Sequence, residues 1–252
     1  MARLTGGDLW RVAWRTPFLQ ATWNYERQQG LGWAFCIAPV IERLYPDREE
    51  RCRRLAEHTA YFNTQPTLAS VALGAVARLE EERVATAAAP PAPDDAIARV
   101  QAVLGSALAA VGDQLFWFTL RPFVACLGVL LALGGSWIGA VALWLTYNLV
   151  HMTLRLRGVG WGYAEGPAVL GSGLRGRLEG LSRLIAQLGA ALVGVVVAAL
   201  LVPGGDPQTV TFQATLAAGL TVGLVTAQRP RPSPTQWAIG AGALCIAAVW
   251  FR

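Results

Sequence analysis

Long uncharged blocks separated by short polar segments set the pattern of this chain. The longest, residues 123–150, holds 28 residues without an acidic or basic side chain. That is long enough for one tilted spanning helix, with Gly134-Gly135 placed to kink it. Residues 184–202 and 209–227 are two further blocks of spanning length, joined by Pro203-Gly204-Gly205-Asp206-Pro207. Residues 236–251 form a final, marginal one. The pattern predicts an all-α integral membrane protein with about four spanning helices.

The first part of the chain is built of shorter pieces. Over residues 8–20, Trp10, Trp14 and Phe18 recur at helical spacing with Arg11 and Arg15 on a neighbouring face, and Asp8 is a candidate N-cap. Such an amphipathic N-terminal arm suits either a helix lying in the membrane interface or one packing within a complex. Residues 28–41 are uncharged but short of the roughly 20 needed to cross, so a re-entrant helical hairpin is expected there. Beside it, Asn24, Glu26 and Gln29 are candidates to line a polar cavity; Glu26 and Arg27 also suit a place at the membrane surface. Residues 46–57 alternate Glu and Arg at helical spacing and read as a solvated helix. Pro66 biases Gln65 away from the helical region, putting Asn63, Thr64 and Gln65 at a turn before the apolar residues 67–77. That turn is either a hairpin tip facing a cavity or a plain surface turn. Residues 84–96 are a Pro-rich loop, with Asp94 or Asp95 to cap the next helix. The division that results is an arm to residue 22, a polar helical region 23–122, a spanning helix 123–154, a loop 155–183 and C-terminal spanning helices 184–252.

One stretch sets charge inside this apolar ground. Gly112-Asp113-Gln114-Leu115-Phe116-Trp117-Phe118-Thr119-Leu120-Arg121-Pro122 is flanked by uncharged residues on both sides. Charges at membrane depth need partners or water. Asp113 and Arg121 are separated by about 12 Å along one helix and do not answer each other. A turn, a second subunit or a polar substrate must do so. Asn148 is another amide in an apolar run, followed by His151, which reads as a packing residue.

Composition sharpens the class. Hydrophobic residues make up 54% and charged ones 15%, against about 25% charged in soluble domains. Ten tryptophans suit membrane interfaces. All 21 basic residues are Arg, which reads as coding bias, so a net charge of +5 does not argue for nucleic acid. Cys36, Cys52, Cys126 and Cys245 are scattered and suggest neither a disulfide framework nor a zinc site. No cleaved signal peptide is expected from the first residues. The loop 155–183, irregular by its glycines, carries Arg155, Arg157, Arg175, Arg177 and Arg183 against Glu165 and Glu179. That excess puts it in the cytoplasm; the turn at 203–207 lacks Arg, and Arg229 and Arg231 bring the chain back.

Six blocks in order carry a family resemblance. They are Leu9-Trp10-Arg11 with Phe18-Leu19-Gln20, Trp23-Asn24-Tyr25-Glu26-Arg27, Phe62-Asn63-Thr64-x-Pro66, the 112–122 stretch, Tyr147-Asn148, and Gly162-Tyr163-x-x-Gly166. The chain resembles the IID subunit of the mannose/fructose/sorbose-type bacterial phosphotransferase system. It departs from that family at Gln65 (usually His), Gln28 (usually Met), Gly30 (usually Asn) and Leu104-Gly105-Ser106-Ala107, where Met-Gly-Pro-Leu is common. The resemblance implies a multi-pass subunit of the bacterial inner membrane. With a IIC partner it would form the sugar channel, assembling as a higher oligomer of IIC–IID pairs. Phosphate would come from IIAB phosphocarrier proteins, by way of a phosphohistidine on IIB, so no catalytic residue, metal or cofactor is expected here. Asn24, Glu26, Gln29, Asn63, Asp113, Arg121 and Asn148 are then candidates for sugar or subunit contact. The alternative is a non-transporting assembly or regulatory partner descended from such a subunit.

Overall fold

A computed structural model describes residues 3–86, 95–171, 173–201 and 205–227. Every regular element among them is helical, apart from isolated bridges joining Gln28 to Asn24 and Phe62. The helices are α1 (Gly6–Arg15), α2 (Gly30–Leu44), α3 (Arg48–Glu57), α4 (Ala69–Ala85), α5 (Asp95–Leu115), α6 (Arg121–Leu133), α7 (Ile138–Glu165), α8 (Leu174–Leu201) and α9 (Pro207–Ala227). A π-helical segment, Phe116–Leu120, lies between α5 and α6. The chain divides into two compact units, one of residues 1–114 and 148–179, the other of 115–147 and 180–252.

In the first unit, α1 begins with a capping box. Thr5 is its N-cap and Asp8 the third residue of the helix, each side chain bonding the other's backbone N–H. The pattern placed the cap at Asp8; Thr5 takes it because Asp8 reaches back to the amide of Thr5. Val12 and Ala13 are buried, while Trp10, Trp14 and Phe18 stay exposed. Pro39 lies inside α2 and has no N–H to give the carbonyl of Phe35. The Arg15 guanidinium takes that acceptor at 3.0 Å and stacks over the Phe35 ring.

α2 is a core helix, with Trp33, Cys36, Ile37, Val40 and Ile41 all fully buried. Helices α4 and α7 cross backbone to backbone. A Cβ on Gly74 would lie 2.0 Å from the Val159 carbonyl oxygen, and one on Gly162 would lie 1.9 Å from that of Val71. Gly158 faces the Ser70 side chain, whose Oγ would lie 2.1 Å from an added Cβ. Only small residues at this spacing permit the approach.

Residues 155–183 are therefore not an irregular loop. α7 runs through Gly158, Gly160 and Gly162 to Glu165, and Gly166, at φ +61°, ends it. A 3-10 segment, Gly166–Leu170, follows and α8 starts at Leu174. Nor is the mixed-charge helix expected at 46–57 wholly solvated: Arg54 of α3 is buried, and so is Glu80 of α4.

In the second unit, the expected single span 123–150 is a hairpin. Gly134 and Gly135 end α6 instead of kinking it, since Gly135 takes φ +77°, and Ser136 accepts the Ile138 N–H at the start of α7. The arms meet closely, with a Cβ on Gly139 only 2.5 Å from the Gly128 carbonyl oxygen. Elsewhere in this unit Phe116 packs edge-on against Tyr147, and Gly194 of α8 abuts Thr221 of α9. Among the described residues three helical stretches are long and apolar enough to cross a membrane: Ile97–Leu133, Leu174–Leu201 and Pro207–Thr226. Their many exposed apolar side chains, among them Leu188, Leu200 and Val222, are what a lipid-facing surface requires. Asp94 and residues 236–251 lie outside the described residues; α5 begins at Asp95.

Candidate functional site

Asn24, Glu26, Gln29 and Asn63, four of the polar residues singled out in the sequence, gather at one place in the first unit, where the chain entering α2 meets the chain entering α4. Asn24 folds its own loop: its Oδ1 accepts the Glu26 and Arg27 N–H groups at 3.1 and 2.8 Å. This Asx-type turn throws Gln28 to φ +53°, a strained value for a residue with a Cβ. The Gln28 amide bonds back to the Asn24 carbonyl, and the Gln29 amide donates to the Phe62 carbonyl at 2.8 Å. Loop and turn are thereby stitched together.

Gln29 does not line a cavity. It is 1% exposed, and both ends of its amide are spent on Thr64: Nε2 donates to the Thr64 carbonyl at 2.8 Å, and Oε1 accepts the Thr64 N–H at 3.1 Å. Thr64 Oγ1 in turn donates to the Gly105 carbonyl of α5 at 2.8 Å. Buried amides must be satisfied, and this one fixes the two segments against each other. Gln65 caps the turn into α4, its Oε1 accepting the Thr67 and Leu68 N–H groups at 2.7 and 3.1 Å. Its side chain lies against Gly112, where a Cβ would come within 2.5 Å. An amide does this work in place of the family's usual His. α5 also passes without interruption through Ser106, where the family's Pro would break it.

On the outside of this junction stand Tyr25, Glu26, Tyr61 and Asn63, all exposed. Trp23 packs edge-on to Tyr25 at 4.9 Å, and Glu26 has only the neighbouring Arg27 within ion-pair range, at 3.9 Å. Among the described residues no partner answers the Asn63 amide or the half-buried Asp113 carboxylate. Asn148 is half-buried in α7 and makes its own contacts. Arg121, in the second unit, is exposed and stacks over the Trp117 ring at 4.9 Å.

A second polar cluster lies behind the junction and went unforeseen. Arg54 bonds both Glu57 and Glu80, and Tyr45 Oη donates to Glu80 at 2.7 Å. His58 Nε2 lies 2.8 Å from Glu80 Oε1, while His58 Nδ1 accepts the Trp33 indole N–H. Burial alone would raise the Glu80 carboxyl. The His58 bond, together with Arg54 and the Tyr45 bond, outweighs it and holds Glu80 at about 2. A charged residue spaced three or four from apolar α4 positions was the one available signal. No group of His, Cys, Asp or Glu among the described residues has the arrangement of a metal site.

The fold is that of an all-helical membrane protein with an ordered polar junction in its first unit. The family model described as the PTS system mannose/fructose/sorbose family IID component matches residues 3–219. The mannose-specific EIID component of Escherichia coli (strain K12) is 37% identical over 77% of this chain and 68% of its own length. The sorbose-specific EIID component of Klebsiella pneumoniae is 32% identical over 94% of this chain and 92% of its own. A cryo-EM structure of the mannose transporter ManYZ in complex with microcin E492 contains a chain superposing with TM-score 0.62 at 31% identity. That match covers 99% of this chain and 97% of that one. The chain belongs to the mannose/fructose/sorbose-family IID components of the phosphotransferase system, which are membrane subunits of sugar transporters.

Proposed function

We propose that this chain pairs with a IIC membrane subunit in the bacterial inner membrane and that the pair forms the sugar-translocating unit of a mannose-type phosphotransferase system. IIAB proteins supply the phosphoryl group, the chain itself carries no catalytic residue, and IIC–IID pairs assemble into a higher oligomer. The observation that carries this reading is the junction of Asn24–Gln29 with Phe62–Leu68. It holds a rigid polar scaffold beneath exposed Glu26 and Asn63, in a chain matched by the IID family model over residues 3–219.

The junction narrows the candidates. Asn24 and Gln29 spend their amides on neighbouring backbone, whereas Glu26, Asn63 and Asp113 have side chains left to offer. Exposed tyrosines beside an amide and a carboxylate suit sugar hydroxyls or a subunit surface. Gln65 does not favour the alternative of a non-transporting relative, because its amide caps the turn into α4.

The test is co-expression with the IIC and IIAB proteins of the same genome, followed by affinity purification and uptake of radiolabelled hexoses. Recovery of IIC together with phosphorylated hexose inside the cell supports the reading. IIC recovered without uptake of any hexose, in an otherwise competent strain, returns it to the non-transporting alternative.

A further inference from the structure

We propose that the exposed face of α5 leading to Asp113 seats a spanning helix of the partner membrane subunit, and that this helix presents an Arg or Lys to the Asp113 carboxylate. The inference rests on the IIC pairing proposed above. It adds the surface and the chemistry of recognition.

Asp113 lies well inside Ile97–Leu133, a stretch apolar enough to cross the bilayer. A carboxylate there is costly unless water, a proton or a cation answers it. Among the described residues nothing does, although the side chain is half withdrawn from the surface. The inward face of α5 is already occupied. Leu104 and Leu108 are 1% exposed, Gly105 lies against Phe62 and Gly112 against Gln65.

The other face is open. Ala102, Val103, Ser106 and Ala110 are exposed and lead, at helical spacing, to Asp113. Small side chains let a second helix come close where no hydrophobic drive separates helix from lipid. This stripe offers one hydroxyl before the carboxylate. That suits the flank of a neighbouring helix better than a sugar, whose hydroxyls need several converging polar groups. The unanswered negative charge selects the neighbour: its complement is a fixed cation at the same depth. A lipid tail fits the stripe but leaves Asp113 stranded. A second copy of this chain would bring one carboxylate against another.

The full chain, affinity-tagged and co-expressed with the IIC protein of its own genome, is purified from membranes in mild detergent. Asp113→Arg, and separately Ala110→Trp, should each cut recovered IIC at least tenfold. Each Arg and Lys in the partner's spanning helices is then changed to Glu, one at a time, beside Asp113→Arg. One of them should restore recovery, an outcome that a merely misfolded chain does not give. The site is overturned if Asp113→Arg recovers IIC as the unaltered chain does, with or without loss of uptake, or if no partner substitution restores it. Failure of the unaltered chain to bring down IIC would instead defeat the pairing itself, and this inference with it.

Discussion

Arg54 of α3 and Glu80 of α4 form an ion pair in the interior of the first unit, 1% and 0% exposed. Tyr45 and His58 add hydrogen bonds to the same carboxylate, so the end of α2 and the last turns of α3 converge on Glu80. Breaking a buried pair by removing one charge typically costs about 3–5 kcal/mol, because the other charge is left buried. Glu80→Gln keeps the shape and leaves the buried Arg54 guanidinium with Glu57 as its one carboxylate among the described residues. We expect a loss of that size, seen as lower thermal stability of the purified complex, and unchanged melting would show that the pair contributes nothing net.

The same residue sets a pH dependence. Glu80 is held at about 2, below its ordinary 4.5, so its stabilisation is complete above about pH 4.5 and is lost as pH falls towards 2. Thermal melts taken from pH 6 down to about pH 3 should show a decline in the unaltered chain that is shallower in Glu80→Gln. Parallel curves would remove Glu80 as the cause.

Close helix crossing gives a matched pair of substitutions. Gly162→Ala puts a methyl where Val71's carbonyl oxygen lies at 1.9 Å, forcing α4 and α7 apart. A cost of roughly 1–3 kcal/mol is expected. Gly160→Ala, in the same helix but with nothing within 4 Å, should be neutral or stabilising by up to about 1 kcal/mol. Equal melting of the two variants would contradict the crossing.

The junction separates shaping residues from offering ones. Gln29→Leu leaves the Thr64 N–H and carbonyl without their partners and should lower the yield of folded complex, at a cost of about 1–3 kcal/mol per orphaned group. Asn63→Ala and Glu26→Gln should leave yield and melting unchanged yet reduce hexose uptake. Normal uptake in both would exclude these side chains from transport.

Orientation is open to a labelling test. The five arginines of residues 155–183 predict a cytoplasmic position for the 3-10 segment that joins α7 to α8. With the native cysteines removed, Gly171→Cys should resist an impermeant thiol reagent in intact cells and react after permeabilisation. Ready labelling of intact cells would invert the topology.

The chain's pattern made its class legible. Long uncharged blocks force helices, since a backbone in lipid must satisfy its own hydrogen bonds; the span 209–227 appears as α9 with little change, while α8 starts at Leu174, ten residues before the expected span 184–202. α3 was bounded almost to the residue by Pro46-Asp47, whose carboxylate caps it by accepting the Glu50 N–H. The mixed charges of α3 were misleading because residue type fixes the cost of burial but not whether a partner stands opposite. Arg54 and Glu80 lie 26 residues apart in sequence.

What the sequence alone determined was the inventory: helices, membrane, family blocks, and an Asp113 that apolar flanks make costly. What only the tertiary structure decided was which faces meet. Gly158 and Gly162 read as loop glycines until α4 lay against them. Gly134-Gly135 read as a kink until Gly128 and Gly139 brought α6 and α7 together as a hairpin. Gln29 read as a ligand until Thr64 took both ends of its amide. The reason is common to all of them. A glycine or an amide permits several outcomes at equal local cost, and the choice is made by whatever backbone packs against it.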